Sequence, residues 1–465
     1  MGGEVVVVSF LNVKNANVLV LGAGVTGKAV TKVLSARGLH VAMVDEDSTR
    51  TGEKVITLET AKSSDWDFVV VSPGWRQDHP LVTHLRSKNF PLVSEVDLAW
   101  QLKIEIAPKQ NWLAVTGTNG KTSTVELATA MLRQGGLKAR ACGNVGETIV
   151  EAITNPEKFD FLVVELSSFQ LQWSNSPEFH ASALLNIADD HVDWHGSFSK
   201  YVAAKVRILD RTELAVLNAD DGDVVRATQH WQGRKVFFSL DTPSPGEIGL
   251  VENLLIDRAF VSDPQEASVL AQLDDVHPAA PHSVSNTLAA AALARSVGVS
   301  YEDIRSATQT FHPGRHRIEV VAEVGGVSWI NDSKATNPHA AAASLASQLS
   351  VVWIAGGLAK GATMDQLISR TKSRIRAAIL IGADRELIAQ QLVLQAPQVP
   401  IVRINPDPPQ LATLMERVVL EAKRLAQPGD VVMLAPACAS MDQFISYADR
   451  GDQFRAAVKK LVVEA

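Results

Sequence analysis

Short runs of Val, Ile and Leu recur along the chain, each closed by Gly, Asp, Asn or Pro and often followed by an alanine-rich stretch with helical spacing. A strand covered on both faces has no reason to alternate polar and apolar residues. The β-branched, non-alternating runs therefore predict parallel strands with helices on either side, an α/β fold. The clearest strands are 17–21, 40–44, 67–71, 112–115, 161–165, 183–187, 351–355, 378–381 and 430–434, with a helix expected over 123–134. The Pro- and Asp-rich stretch 242–282 is assigned only loosely, to irregular strands. Junctions at 107–111 and 312–316 divide the chain into 1–109, 110–313 and 314–465.

Composition agrees with three units. At about 150 residues per domain, 465 residues exceed what one core serves. A chain 46% hydrophobic and 20% charged is not disordered. Its 51 acids against 44 Lys and Arg give a net charge of −7, which excludes a broad basic footprint for nucleic acid. The two cysteines, Cys142 and Cys438, lack CxxC partners, so neither a disulfide framework nor a zinc cluster is expected. The Val5 to Val8 run is too short for a signal sequence or a membrane span. A cytoplasmic monomer is the working expectation.

Two glycine-rich turns carry candidate chemistry. Gly22-Ala23-Gly24-Val25-Thr26-Gly27 follows a strand and opens a helix, and Asp45 ends the next strand, the spacing of a dinucleotide fingerprint. NAD, another nucleotide, or a tight turn with no ligand all remain open on this motif. The second turn, Thr116-Gly117-Thr118-Asn119-Gly120-Lys121-Thr122, also lies between strand and helix. Its backbone N–H groups can cradle phosphate, Lys121 can neutralise β/γ charge and the Thr122 hydroxyl can bind Mg²⁺, a combination that points to nucleoside triphosphate chemistry. Val115 stands where the general pattern has its first glycine, so the loop is a shortened variant.

Further polar groups follow other strands. Glu165 ends 161–165 and can hold Mg²⁺ or charge a helix N-terminus; a cluster from Asp189 to His195 follows 183–187. Lys205 follows two alanines on a helix, where the plain reading is a solvated side chain. Asn331-Asp332-Ser333-Lys334-Ala335-Thr336-Asn337, Gly356-Gly357-Leu358-Ala359-Lys360 and Pro436-Ala437-Cys438-Ala439-Ser440 each follow a strand of the third unit, as the walls of one crevice would.

These motifs, with Glu165-Leu166-Ser167-Ser168-Phe169-Gln170, Asp190-His191-Val192-Asp193 and Ser440-Met441-Asp442-Gln443-Phe444, resemble the ATP-dependent Mur ligases of peptidoglycan synthesis over the whole chain. The Asn-Asp-Ser-Lys-Ala-Thr-Asn run and the absence of an Asp-Asn-Pro-Arg run favour the D-glutamate-adding branch. The resemblance implies a Rossmann-like first domain, a central P-loop-type ATPase sheet and a Rossmann-like C-terminal domain. It implies that the first domain binds UDP-N-acetylmuramoyl-L-alanine rather than NAD, through Val25, Thr26, Asp45, Ser72, Pro73 and Gly74, with Asn144 on the same substrate. ATP falls to Gly117, Thr118, Asn119, Gly120, Lys121, Thr122, Asn286, Arg317, Asp332 and Lys334. One Mg²⁺ falls to Thr122 and Glu165, and a second to His191 and a carbamylated Lys205. D-Glutamate falls to Thr336, Lys360, Ser440 and Tyr447, and the reacting centre to Lys121, His191, Lys205 and Arg317. The implied reaction activates a carboxylate as an acyl phosphate, which an amine then attacks.

One departure concerns the uridine contacts: Asp47 stands where some family members carry arginine. An NAD-dependent oxidoreductase leaves the Lys121 loop idle. A folylpolyglutamate-synthase-like ligase leaves the first domain unexplained, and a nucleotide-dependent switch needs no amino-acid groups.

Overall fold

The β-branched runs form strands of three separate sheets in the computed structural model, which describes residues 15–405 and 414–463. The Val5 to Val8 run lies outside the described residues. The first sheet has four parallel strands in the order His40–Val44, Asn17–Leu21, Phe68–Val71, Leu92–Ser94. The second has nine: Ser268–Gln272, Leu254–Asp257, Glu247–Val251, Arg234–Phe238, Thr212–Asn218, Phe179–Leu184, Asn111–Thr116, Phe161–Glu165 and Ala139–Gly143. The third has six, Glu319–Val324, Val327–Asn331, Val431–Leu434, Val351–Gly356, Ile375–Ile381 and Ile401–Arg403, antiparallel only at the first pair.

Both faces of the central strands are covered, as the lack of alternation required. In Val351–Gly356, Val351, Trp353 and Ala355 join one core cluster while Val352 and Ile354 join the cluster on the opposite face. Two expectations are corrected in detail. The strand read as 183–187 runs over Phe179–Leu184, because the chain leaves the sheet where Asn186 turns to hold the phosphate loop: its Oδ1 accepts from Asn119 N at 2.8 Å. The stretch 242–282 supplies three regular strands, two of whose pairings are antiparallel and extend the second sheet past its parallel part.

The chain forms two compact units. One runs to Ile187 and takes in Ser199–Asp275 and Ser285–Thr310; the other comprises Ala188–Phe198, Val276–Val284 and the chain from Phe311. The first two sheets share the first unit for a specific reason. The helix Glu95–Ile106 begins at the end of the first sheet, and its two first-turn acids satisfy backbone donors beside the second. Glu95 Oε1 accepts from Val150 N at 3.0 Å, and Asp97 Oδ1 accepts from Asn175 N at 2.9 Å and Ser176 N at 2.7 Å. Trp173 Nε1 adds a bond to Trp75 O at 2.9 Å.

Candidate active site

In the first unit the phosphate loop opens the helix Lys121–Gln134, with Gly120 at its N-cap at φ 83°. A Cβ there would lie 2.3 Å from Asn286 Oδ1, so glycine is required both by conformation and by space, and Asn286 is set against the loop. Two lysines converge on one carbonyl: Lys121 Nζ donates to Gly117 O at 2.8 Å and Lys205 Nζ to the same oxygen at 2.7 Å. Thr118 Oγ1 lies 2.8 Å from the Tyr201 hydroxyl, whose ring stands 4.8 Å from the Lys205 ammonium. The solvated reading of Lys205 is thereby corrected, since the residue is only 2% exposed. The helix Phe198–Val206 turns it inward, beneath the loop.

Glu165 pairs in register with Val115, at the mouth of that loop. It is buried; Oε1 accepts from Asn144 Nδ2 at 2.9 Å, while the buried Oε2 has no hydrogen-bond partner. A buried carboxylate oxygen without a donor is costly unless something else meets it. A hard cation fits: Mg²⁺ takes one or two carboxylates and completes its shell with phosphate oxygens and water. The same unit therefore offers Glu165 and Thr122 as oxygen ligands. Among the described residues no group of three His, Cys, Asp or Glu side chains forms a ready-made metal cluster.

The other glycine turn closes the first sheet. Gly22 has φ 104°, and a Cβ on it would sit 2.7 Å from Ser72 Oγ; on Gly27 it would strike Gly22 O at 1.7 Å. Asp45 Oδ2 accepts from Ala23 N at 2.6 Å and Oδ1 from Asp47 N at 3.0 Å. Burial opposes the Asp45 charge, but those N–H groups and Arg50 outweigh it and hold the carboxyl below its ordinary range. Val25, at the helix start, is exposed. Asp45 and Ser72 thus meet at one turn, beside the exposed start of its helix. Arg50, which the sequence reading did not single out, lays its guanidinium 3.1 Å from the place of a Gly24 Cβ and pairs with Asp45 at 3.1 Å and Asp47 at 3.4 Å.

In the second unit, His191, Thr336 and Lys360 line one cavity of about 280 Å³, together with Asp189, Asp190 and Arg370. His191 has φ 53° and its Nε2 lies 3.6 Å from Asp190 Oδ2. Asp332 is buried with Oδ1 accepting from Ile318 N at 3.3 Å and Oδ2 from the Ser344 hydroxyl. Burial pushes its pKa to about 6, against Ser344, Ile318 and the nearby Arg317 charge. Lys334 Nζ stands 4.1 Å from the centre of the Tyr447 ring, and Ser440 is buried at its strand end; neither Lys334, Tyr447 nor Ser440 lines the cavity. Arg450, also unremarked in the sequence, is fully buried beneath these strand ends. Its only prior signal was a position three residues beyond Tyr447 on the same helix.

Residues 115–294 match the Mur ligase middle domain, and residues 316–438 the Mur ligase glutamate ligase domain. The chain is 46% identical to the UDP-N-acetylmuramoylalanine–D-glutamate ligase of Streptomyces coelicolor, over 96% of this chain and 98% of that protein. It is likewise 46% identical to the ligase of the same name from Thermobifida fusca, over 97% and 100%. Among solved structures, the UDP-N-acetylmuramate-alanine ligase MurC of Thermotoga maritima superposes with a TM-score of 0.59 at 18% identity, covering 97% of this chain and all of that one, 100%. A pseudomurein peptide ligase of Methanothermus fervidus gives a TM-score of 0.61 at 16% identity, over 96% and 100%. At those identities the two structures speak for the fold alone.

Proposed function

The chain belongs to the Mur ligase family, and from that premise we infer how its residues carry the reaction. It is an ATP-dependent ligase that adds D-glutamate to UDP-N-acetylmuramoyl-L-alanine in peptidoglycan synthesis. The observation that carries the residue assignment is the phosphate loop, where Lys121 and Lys205 share the Gly117 carbonyl.

Joining a carboxylate to an amine is uphill in water, so the carboxylate must first gain a leaving group. The loop N–H groups and Lys121 hold the ATP phosphates, and Lys121 offsets the negative charge that spreads over the γ-phosphoryl group as it passes to the L-alanyl carboxylate. Glu165 and Thr122 would hold one Mg²⁺, and His191 with Lys205 as its carbamate a second; the ions would neutralise phosphate charge when bound. The D-glutamate amine, deprotonated, then attacks the acyl phosphate carbonyl; the C–N bond forms, the C–O bond to phosphate breaks, and inorganic phosphate leaves. Arg317 is assigned to the γ-phosphate, and Asp332, Lys334 and Asn286 to the rest of ATP.

Thr336 and Lys360, on one cavity, are assigned to the amino acid with Ser440 and Tyr447. Val25, Thr26, Asp45 and Ser72 to Gly74 are assigned to the UDP end, with Arg50 supplying the guanidinium that Asp47 does not. Carbamylation of Lys205 would replace a buried cation by a carboxylate, and its enclosure under the loop supports that assignment. Among the described residues no helix is long and apolar enough to cross a membrane. A cytoplasmic, monomeric enzyme is our reading from the family to which the chain belongs.

The test is phosphate release from ATP and Mg²⁺ with UDP-N-acetylmuramoyl-L-alanine and D-glutamate, each omitted in turn, with L-glutamate as control. Release that needs all components and yields an amide supports the reading. Turnover indifferent to the UDP-sugar leaves the ATP site standing and returns the first sheet to the folate-type and switch alternatives.

A further inference from the structure

Arg450 lies on the helix Tyr447–Val458 and is 0% exposed. Among the described residues every hydrogen bond of its guanidinium goes to the ends of three strands of the third sheet. Nε donates to Ser333 Oγ at 3.0 Å and Nη2 to Ser333 O at 3.0 Å; Nη1 donates to Cys438 O at 3.2 Å and more weakly to Gly356 O at 3.4 Å. Ser333 follows Val327–Asn331, Gly356 ends Val351–Gly356, and Cys438 follows Val431–Leu434. Among the described residues the guanidinium makes no ion pair; Asp442 faces it from further off, with Oδ2 accepting from Ala383 N at 2.8 Å and Oδ1 buried without a hydrogen-bond partner.

An arginine buried without a direct ion pair is an expensive way to tie strands together, since neutral or apolar side chains would serve at lower cost. What it supplies that they do not is fixed spacing together with a permanent positive charge. Burial lowers its pKa only to about 10, so the group stays a cation at neutral pH. The three ends it holds lead into Lys334, into the Leu358–Lys360 loop, and into Ser440. Two further bonds extend the clamp. Ser333 Oγ donates to Tyr447 O at 2.7 Å, fixing the ring beside Lys334, and Leu358 and Ala439 exchange backbone bonds at 2.9 Å, locking the second loop to the third.

We propose that Arg450 is a positioning residue for the amino-acid substrate: a buried cation that sets the spacing of the three strand ends and biases their crevice toward a dianionic amino acid. The inference rests on the assignment of D-glutamate to this unit. A site built this way should lose affinity for the dicarboxylate amino acid, and not for ATP or the UDP-sugar, when the cation is removed.

The experiment measures kcat and each KM for the wild type, Arg450→Met and Arg450→Lys, with thermal unfolding recorded alongside. Arg450→Met should raise the KM for D-glutamate by tenfold or more while the KM values for ATP and the UDP-sugar stay within twofold. Arg450→Lys should recover part of the loss. An unchanged D-glutamate KM, or a uniform rise in all three, overturns the proposal. If Arg450→Met does not fold, Ser333→Ala, which cuts the link from the guanidinium to Tyr447, should show the same selective rise, and its failure to do so counts equally against the idea. Failure of the underlying assignment is separate, since the wild type itself would then show no dependence on D-glutamate.

Discussion

Glu95 joins the first two sheets through an acid that is wholly enclosed, which makes the joint pH-dependent. Burial, with a smaller push from the Glu151 carboxylate, raises its pKa from 4.5 to about 7, against the opposing N–H groups of Val150 and Ile149. A carboxyl whose folded pKa is raised favours folding most when protonated. Its contribution is therefore fully present below pH 4.5 and is lost as pH rises to about 7. At 1.36 kcal/mol per unit, the loss is about 3 kcal/mol. The Cys142 thiol, which also faces Glu95, is held well above its ordinary range and does not titrate in this window. Glu95→Gln keeps an oxygen for Val150 N and removes the charge. Urea unfolding followed by tryptophan fluorescence, with Trp100 on the same helix edge-on to Trp112 at 5.1 Å, would compare the two proteins from pH 4.5 to 8.5. The variant should gain on the wild type as pH rises, by up to about 3 kcal/mol at pH 8. Parallel stability curves would refute the reasoning, because the enclosed charge would then cost nothing.

Three further outcomes are expected. Gly120→Ala should cut kcat/KM for ATP by about 100-fold or more through displacement of the loop, since its Cβ would meet Asn286 Oδ1 at 2.3 Å; nucleotide kinetics within a few-fold of wild type would contradict the crowding. Asn144→Ala should raise the Mg²⁺ concentration needed for half-maximal turnover by about 10- to 100-fold through loss of its bond to Glu165 Oε1, whereas a rise confined to the KM for the UDP-sugar would place Asn144 on that substrate instead. Lys205→Ala should abolish turnover and regain it with short carboxylic acids; inactivity without rescue would count against a carbamate at the buried amine.

Much of the architecture was legible along the chain because its causes are local. Strand runs such as Asn17–Leu21 and Phe161–Glu165 stand where the apolar pattern put them, and the two glycine turns are fixed by positive φ and close backbone approach within a few residues. The strand read at 183–187 was misplaced because Leu185 and Ile187 are as apolar as strand residues, while this segment serves the phosphate loop: Leu185 N bonds to Thr116 O at 3.0 Å and Asn186 Oδ1 accepts from Asn119 N.

By its periodicity and its motifs, then, the sequence alone determined an α/β chain with three sheets, a phosphate loop and the family to which those motifs belong. The tertiary structure alone decided what each side chain faces. Lys205 reads as a surface lysine until the fold brings it to a carbonyl 88 positions away, and Arg450 reads as one helical arginine among many until it meets Ser333, 117 positions distant. The first two sheets count as separate domains by composition, yet Glu95 and Asp97 bind them into one unit. Periodicity records only whether a position is covered. The partner of a polar group is set by which distant strand ends the sheet order places together, and burial then makes that pairing obligatory by raising the free energy of any group left without one.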